Sequence, residues 1–267
     1  MRILINYDYQ YYPTTTASYI EMAIKADPKL SCFRVGEARV PCADLIINIE
    51  PCAKIISYPT AVSCYWEIDN HFHQGRHWDK YNAVDHVFVT QKYFLDLYPP
   101  KKTTWLPLAA DPEKHRLYPE EKIIYDVGFI GNPSYPERSA LLNQIGNKYK
   151  LLQTTAKAGE EYSRLLSRCK LLFNRSLAND MNMRVFEGMS IGRPLLSDVV
   201  EGQEELFIPD EQYISYEKWE DLDSKIEWLL ANPEYCEKIG NAGSAIIRAK
   251  HTYRHRLEKI LQVCGFY

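Results

Sequence analysis

Short apolar runs separated by helical segments limit the fold of this chain more than any other feature. Each run has three to eight residues, which is the length of a strand rather than of a buried helix. Parallel strands need a crossover connection between them, so this alternation predicts doubly wound parallel sheets. The predicted strands are residues 2–6, 33–35, 44–49, 61–66, 85–90 and 103–106, followed by 123–130, 150–153, 171–173, 195–197 and 213–215.

The two groups of strands are separated by a stretch rich in prolines and charges. We therefore predict two α/β domains, residues 1–110 and 123–250, joined by a linker at 111–122. The spacing of apolar residues in 251–267 predicts a terminal amphipathic helix. Its apolar stripe would hold Tyr253, Leu257, Ile260, Leu261 and Cys264, with Arg254, Arg256 and Lys259 off the stripe.

Composition and charge are those of an ordinary globular protein. The net charge of −3 offers no general attraction for nucleic acid or anionic lipid. No apolar run has the length of a membrane span, and the first residues predict a strand rather than a signal peptide. The seven cysteines are odd in number and lack any Cys-x-x-Cys spacing, so we expect reduced thiols and a cytoplasmic protein.

Residues 182–198 carry the most informative local pattern. Apolar residues at helical spacing precede Gly192, which predicts a short helix that ends at a glycine turn before the strand 195–197. The strand 171–173 and a polar loop come immediately before this helix. A helix that begins after a strand and a loop offers backbone N–H groups and a positive dipole end to a phosphate.

Arg184 and Glu187 share one face of the predicted helix because they lie three residues apart. A carboxylate one turn from a bound phosphate can accept hydrogen bonds from the two hydroxyls of a ribose. From periodicity alone, the simpler interpretation is a surface ion pair on a crossover helix, an interaction that contributes little.

A resemblance to a known family favours the ligand-binding interpretation. Residues 186–194 (Phe-Glu-Gly-Met-Ser-Ile-Gly-Arg-Pro) resemble the donor-binding signature of GT-B glycosyltransferases, Glu-Ala-small-x-x-Gly-x-Pro. The Asn-x-Arg-x-Phe-Glu pattern at 182–187 is most similar to the group named after spore maturation protein CgeB. The resemblance extends from about residue 85 to the C-terminus and includes 126–132 (Asp-Val-Gly-Phe-Ile-Gly-Asn), Arg138 and 251–256 (His-Thr-Tyr-Arg-His-Arg).

The resemblance implies a fold and a donor site. The fold would be GT-B, with two Rossmann-like domains facing each other across a cleft and the C-terminal helix crossing back to the first domain. Glu187 would bind the nucleotide ribose, and Gly131 would allow close backbone approach by the ligand. The predicted donor-binding residues are Gly131, Asn132, Arg138, Asn174, Asn179, Asn182, Arg184 and Glu187.

The chain departs from the resemblance at one position. Retaining enzymes of this fold usually carry a second Glu eight positions before the residue at Glu187. That position is Asn179 here, with Asp180 beside it. Retention or inversion of configuration therefore stays open.

Ligands of doubly wound sheets bind at the carboxyl ends of the strands, which directs attention to three places in the first domain. These are the loop after the first strand, residues 50–52 after strand 44–49, and residues 67–77 after strand 61–66. The loop after the first strand has four tyrosines in six residues, and Tyr9 and Tyr11 are predicted to stack on an acceptor. Alternatively, these rings cover the edge of the sheet. In the loop after strand 61–66, Asp69 is the first candidate for a general base and His71 the second, with Glu67 as an acceptor contact.

His73 and His77 in the same loop raise the question of a metal. With His71 or Asp69 they would form a plausible zinc shell. The His-Glu-x-x-His spacing of zinc hydrolases is missing, however, and GT-B enzymes generally work without a bound metal. We therefore predict neither a metal nor a cofactor.

The predicted function is that of a metal-independent glycosyltransferase of the hexosyltransferase class. The donor would be a nucleotide-diphosphate sugar, with a UDP-sugar favoured, and the acceptor is a glycan, a protein, a small molecule or a nucleobase. Two alternatives stay open: a nucleotide-sugar epimerase or phosphorylase of the same fold, and a non-catalytic nucleotide-binding relative. Whether the protein forms a homodimer is also left open.

Overall fold

A computed structural model describes residues 1–9, 15–36, 42–155 and 159–267. These residues divide into two compact units, each with its own parallel sheet. All the predicted strands are present, and their bounds differ from the predicted ones by at most two residues. The first unit contains Met1–Leu108, Ala178–Met181 and Tyr253–Tyr267, and the second contains Ala109–Leu177 and Asn182–Thr252.

The first unit is built on a six-stranded parallel sheet. Its central strands are apolar and buried, as expected for strands covered on both faces. The strands are β1 (Arg2–Asn6), β2 (Ser31–Arg34), β3 (Leu45–Ile49), β4 (Val62–Glu67), β5 (His86–Val89) and β6 (Thr103–Trp105), in the order β2-β1-β3-β4-β5-β6. The helices are α1 (Thr16–Lys25), α2 (Asn70–His73) and α3 (Trp78–Asn82), with a 3₁₀ helix at Lys92–Leu97.

The second unit has a five-stranded parallel sheet. Its core is formed by apolar side chains of the central strands, including Val127, Leu171 and Leu196, packed against helices on the sheet. The strands are β7 (Tyr125–Ile130), β8 (Leu151–Thr154), β9 (Cys169–Asn174), β10 (Leu195–Asp198) and β11 (Ile214–Tyr216), in the order β11-β10-β9-β7-β8. The helices are α4 (Pro136–Lys148), α5 (Glu160–Ser167), α6 (Met183–Ile191), α7 (Trp219–Ala231) and α8 (Pro233–Lys250), with a 3₁₀ helix at Gln203–Glu205.

The terminal helix α9 (Tyr253–Val263) belongs to the first unit and packs against α1. The rings of Tyr19 and Tyr253 stack with centroids 5.0 Å apart. The predicted apolar stripe is buried, but the placement of Arg256 off that stripe is wrong. Its buried guanidinium donates hydrogen bonds to the carbonyl oxygens of Pro107 and Leu108, at 2.7 and 2.8 Å. Burial lowers the pKa of Arg256 to about 10.

The observed division of the chain differs from the predicted boundaries in two segments. Residues 111–122, predicted as a linker, lie within the second unit. Ala178–Met181, between β9 and α6, lies in the first unit because Gln91 binds it. The Gln91 side-chain amide donates to Asp180 Oδ1 at 2.6 Å, and its oxygen accepts from the backbone N–H of Met181 at 2.8 Å.

No helix of the described residues is both long enough and apolar enough to cross a membrane.

The C-terminal end of α6 is held by close packing against α8. Gly192 ends α6 with a φ of 87°, a conformation that glycine adopts without steric cost. A Cβ at Gly240 of α8 would lie 2.1 Å from the carbonyl oxygen of Gly192. The two backbones therefore approach so closely that residue 240 can carry only a hydrogen atom where other residues carry a Cβ.

We expect Gly240→Ala to lower the free energy of unfolding by about 1–3 kcal/mol, because the methyl group must push α8 away from α6. Denaturant unfolding measures this change. Gly146→Ala is the matched control, since Gly146 is exposed in α4 and its nearest neighbour would be 3.5 Å from the new Cβ. The control is expected to gain about 0.5–1 kcal/mol from helix propensity. Equal stability of the Gly240 variant and the parent would contradict the close approach.

Candidate functional site

In the second unit, the candidate donor site is built around the start of α6. The side chain of Asn182 caps the helix by accepting a hydrogen bond from the backbone N–H of Arg184 at 3.1 Å. The apolar residues Val185 and Phe186 of the helix are fully buried, and the ring of Phe186 packs against Phe207 and His251. Arg184, in the first turn of the helix, lies at the ends of β7 and β9, beside Gly131 and Asn174.

Arg184 is aimed by a buried amide. Its Nε donates to Asn174 Oδ1 at 3.0 Å, and Asn174 is the last residue of β9. The guanidinium lies 5.4 Å from the ring centroid of Phe129. Its Nη1 is 2.8 Å from the position that a Cβ on Gly131 would occupy, so glycine at this position leaves room for the arginine. A cation therefore lies beside the carboxyl end of β7.

Glu187 is held by a histidine and not by Arg184. The carboxylate Oε1 is 3.2 Å from Nε2 of His115, which is fully buried. Nδ1 of His115 accepts a hydrogen bond from the backbone N–H of Asp111 at 3.1 Å, so the proton of the neutral ring is on Nε2 and is donated to Glu187. Ser190 Oγ donates to the carbonyl of His115 at 2.6 Å, which fixes the histidine against α6.

The predicted donor residues Asn132 and Arg138 organise loops in this structure. Arg138 is 2% exposed and donates from Nη1 to the carbonyl of Asn132 at 2.8 Å and from Nη2 to the carbonyl of Arg175 at 2.6 Å. Asn132 Oδ1 accepts from the backbone N–H of Ser134 at 2.9 Å. Arg138 therefore ties the loop after β7 to the residue that follows β9.

Arg175 is a second cation at this edge of the sheet that the sequence analysis missed. Its Nη1 lies 3.4 Å from Asp198 Oδ2 at the end of β10, and it also pairs with Glu137. Its side chain is 25% exposed. Its position directly after Asn174, at a strand end, was the only sequence signal that could have indicated it.

Asn179, predicted as a donor residue, lies in the segment of the first unit that Gln91 binds. Asn179 and Ala178 both have positive φ angles, 59° and 47°, and both are exposed. Positive φ is uncommon for residues other than glycine and marks a tight turn here. The side chain of Asn179 is thus presented at the tip of the turn, while Asp180 anchors it.

In the first unit, the candidate bases Asp69 and His71 follow β4. The backbone N–H of Asp69 donates to Glu50 Oε2 at 2.8 Å. Asp69 is exposed, but the protein atoms around its carboxyl partly exclude water and, with the charge of Glu67, raise its pKa. Burial lowers the pKa of His71 to about 4, so this imidazole is neutral at neutral pH. Its Nδ1 lies 3.7 Å from Asp180 Oδ1.

Glu67 is placed beneath the surface rather than at an acceptor surface. It is completely buried. Its carboxylate accepts hydrogen bonds from Tyr81 Oη at 3.0 Å, from His77 Nδ1 at 2.8 Å and from Tyr98 Oη. With these contacts made, the carboxylate orients His77 and the two phenols. The predicted acceptor contact is therefore not where an acceptor would touch the protein.

Of the two predicted stacking tyrosines, Tyr11 lies outside the described residues. Tyr9 belongs to a polar cluster: its hydroxyl donates to Glu21 Oε2 at 3.1 Å, and the guanidinium of Arg34 lies 4.3 Å from its ring centroid. Arg34 also donates to Glu21 at 2.8 Å. One face of the Tyr9 ring is thus occupied by Arg34.

Residues that could hold a metal are found in the first unit, although no metal was predicted, and the set differs from the zinc shell considered in the sequence analysis. Glu50, His73 and His77 each offer one ligand atom, and these atoms lie within 4.8 Å of one another. Glu50 takes the place that the sequence analysis gave to His71 or Asp69. Burial raises the pKa of Glu50 to about 8.

Comparison with known proteins identifies the family of this chain. Residues 122–262, just over half of the chain, match the family described as glycosyl transferase-like. The chain belongs to this glycosyl transferase-like family. The matched region contains α6, with Arg184 and Glu187. No curated protein sequence matches the chain.

Solved structures show the fold of this glycosyl transferase-like protein. HepE from Anabaena in complex with UDP-glucose has a TM-score of 0.65 at 12% identity, covering 98% of this chain and 99% of that one. Sucrose-phosphate synthase from Thermosynechococcus elongatus has a TM-score of 0.63 at 11% identity, with 98% of each chain covered. A mutant of TarM from S. aureus, in complex with fondaparinux, alpha-GlcNAc-glycerol and UDP, has a TM-score of 0.60 at 13% identity, covering 82% of this chain and 55% of that one.

These similarities and the two parallel sheets give the two-domain GT-B fold, as predicted. Family and fold together support glycosyl transfer by this glycosyl transferase-like protein. The CgeB-like subgroup, the donor and the acceptor stay predictions.

Proposed function

We propose that this protein transfers a hexosyl group from a UDP-sugar to an acceptor, with the donor bound by the second unit. The observation that carries the proposal is the arrangement on α6, where a buried histidine holds Glu187 one turn from an arginine aimed at a strand end. An ordinary crossover helix needs neither feature. Solved structures of HepE, which has a similar fold, contain UDP and UDP-glucose.

The proposed role of Glu187 is to bind the ribose. His115 engages Oε1, which leaves Oε2 to accept a hydrogen bond from a ribose hydroxyl. Because Nε2 of His115 carries the ring proton in this tautomer, it donates to Oε1 and fixes the orientation of the carboxylate. His115 is therefore a positioning residue that acts through Glu187.

The proposed diphosphate site uses protein cations and backbone N–H groups. Arg184 lies beside Gly131, and the first turn of α6 adds the positive end of its dipole. Transfer to an acceptor leaves negative charge on the departing diphosphate, and these groups stabilise it. This arrangement requires no divalent ion at the diphosphate.

The proposed acceptor residues belong to the first unit. Asp69 is the first choice for the base that removes the acceptor proton in an inverting reaction, and His71 is the second. His71 is neutral and can accept a proton, but its Nδ1 is buried. Asp69 is exposed and can be reached by an acceptor, which favours it.

A non-catalytic nucleotide-binding protein is the alternative that one observation favours. Asn179 stands where retaining enzymes usually carry a carboxylate, and here its side chain is neutral and exposed. Incubation with UDP-sugar alone distinguishes the candidates. A transferase slowly hydrolyses the donor, an epimerase converts its sugar, and a protein that only binds nucleotide does neither.

We expect donor hydrolysis to continue after divalent ions are removed by a chelator, because Arg184 and the α6 N-terminus already neutralise the diphosphate. The measurement is UDP release by protein treated with the chelator and passed through a desalting column, compared with untreated protein. If UDP binding and hydrolysis both disappear after treatment and return only with zinc or manganese, the proposed metal independence of the diphosphate site is wrong.

A further inference from the structure

Three metal-binding side chains converge in the first unit, apart from the proposed donor residues. Glu50 follows β3, His73 is the last residue of α2, and His77 directly precedes α3. His73 Nε2 lies 2.5 Å from Glu50 Oε1, and the rings of His73 and His77 have centroids 4.2 Å apart. Two imidazoles and one carboxylate form the ligand set of many catalytic zinc sites.

The environment of His77 is an independent indication of a metal. Its Nδ1 is bound to Oε1 of the fully buried Glu67 at 2.8 Å. Histidines that bind metals usually donate their other ring N–H to a carboxylate or carbonyl, which fixes the tautomer and makes the ligating nitrogen more basic. With the proton on Nδ1, Nε2 of His77 has a free lone pair for a metal.

Glu67 is itself held in place by Tyr81 and Tyr98. The carboxylate therefore cannot turn away from His77 without losing these hydrogen bonds. Ordinary loop histidines need no such support, since solvent satisfies their ring nitrogens. The rigid support is what a metal ligand requires.

Charge favours the same conclusion. Glu50 is 5% exposed, and a cation stabilises the ionised form of a buried carboxyl group. In the described part of the chain, its contacts are with His73 and with the backbone N–H of Asp69. A divalent ion would stabilise the ionised form of this carboxyl group.

We propose that Glu50, His73 and His77 bind one divalent transition-metal ion, with zinc as the best fit and water as the fourth ligand. Tetrahedral zinc holds its ligand atoms about 3.3 Å apart, given Zn–N and Zn–O distances of about 2 Å. Here the three ligand atoms lie within 4.8 Å of one another. The histidine side chains are 33% and 26% exposed and can rotate to close the remaining difference.

Metal binding would join the end of β3 to the loop that follows β4. This loop carries Asp69 and His71, so the ion would fix the backbone between them and α3. The role assigned to the ion is therefore to hold this loop in place, and it is independent of the diphosphate residues in the second unit. Binding can be measured without donor or acceptor, and its failure would leave the proposed transfer untouched.

The test is a titration of metal-free protein with cobalt(II), followed by visible absorption, and with zinc, followed by calorimetry. We expect one ion per chain and the intense visible bands of four-coordinate cobalt. His73→Ala and His77→Ala should each lose about 90% or more of the cobalt signal at one equivalent, because each removes a ligand. Glu67→Gln should bind zinc about 10–100-fold more weakly, because it alters the partner of His77.

His86→Ala is the matched control, since His86 is a half-buried histidine of β5 in the same unit and lies outside the three-residue set. It should bind cobalt like the parent. Folded wild-type protein that binds no stoichiometric ion would overturn the proposal. So would parental affinity in both histidine variants, or a near-ultraviolet thiolate band, which would assign the ion to a cysteine.

Discussion

Asp69→Asn is expected to lower the turnover of glycosyl transfer by roughly two to four orders of magnitude, the usual contribution of a positioned base. The substitution keeps the shape of the side chain and the backbone N–H bond to Glu50, but it removes the basic carboxylate. UDP affinity should stay nearly unchanged, because the proposed nucleotide residues are in the second unit. Turnover and nucleotide affinity must therefore be measured on the same preparation.

Asp79→Asn provides the control for this experiment. Asp79 is an exposed aspartate of α3 in the same unit, so it receives the same chemical change outside the proposed site. Turnover within a few-fold of the parent in Asp69→Asn would rule out the base. The anomeric configuration of the product then decides the next step: inversion directs attention to His71, while retention requires no protein base.

Glu187→Ala is expected to weaken UDP binding by at least about tenfold, because a charge-assisted hydrogen bond to the ribose is lost. Calorimetry with UDP measures the change, and circular dichroism verifies the fold. His115→Leu should also weaken binding, since it removes the donor that positions the carboxylate. Glu237→Ala, on the exposed side of α8, should bind UDP like the parent.

Unchanged UDP affinity in a folded Glu187→Ala protein would exclude the ribose role. If Glu187→Ala weakens binding and His115→Leu does not, the carboxylate binds the ribose without needing its histidine. The two variants thus separate the ligand contact from the residue that supports it.

Much of the fold was predictable because it depends on local patterns. Short apolar runs indicated the strands of both sheets, and Gly192 marked the end of α6. Asn182 precedes the first helical residue, where an amide side chain commonly caps a helix, and it does so here. Each of these signals comes from residues that are adjacent or one turn apart.

The pairing of His115 with Glu187 was not predictable for the opposite reason. His115 lies in a segment whose composition is typical of a linker, and only the folded second unit brings it to α6. No spacing or motif in the sequence marks it. Gln91, which anchors Asp180 and Met181, was missed for the same reason.

For residues at the ends of strands, the sequence did not predict which side chains are exposed and which are buried. Glu67 and Asp69 both lie near the end of β4, and position alone suggested that both reach a ligand. In a parallel sheet covered on both faces, alternation does not tell which side chain will be enclosed by the covering helices. Tyr81 and Tyr98 enclose Glu67 completely, while Asp69 is exposed.

The sequence was similarly ambiguous about the contacts that the arginine side chains make. Arg138 and Arg256 were expected to face a ligand or solvent, yet both are buried and donate to backbone carbonyls. Buried carbonyl oxygens need donors, and the loops that supply these carbonyls are not recognisable before the chain folds. Residue type therefore predicted the charge but not the partner.

The position of α9 has a consequence for how the protein is made. Residues 253–267 complete the first unit, yet the ribosome translates them after the entire second unit. Until they emerge, the face of α1 that α9 covers lacks this contact, which includes the stacking of Tyr19 on Tyr253. The second unit can fold during synthesis, whereas the first must wait with apolar surface exposed. A ribosome that stalls before residue 253 would thus release a chain prone to aggregation.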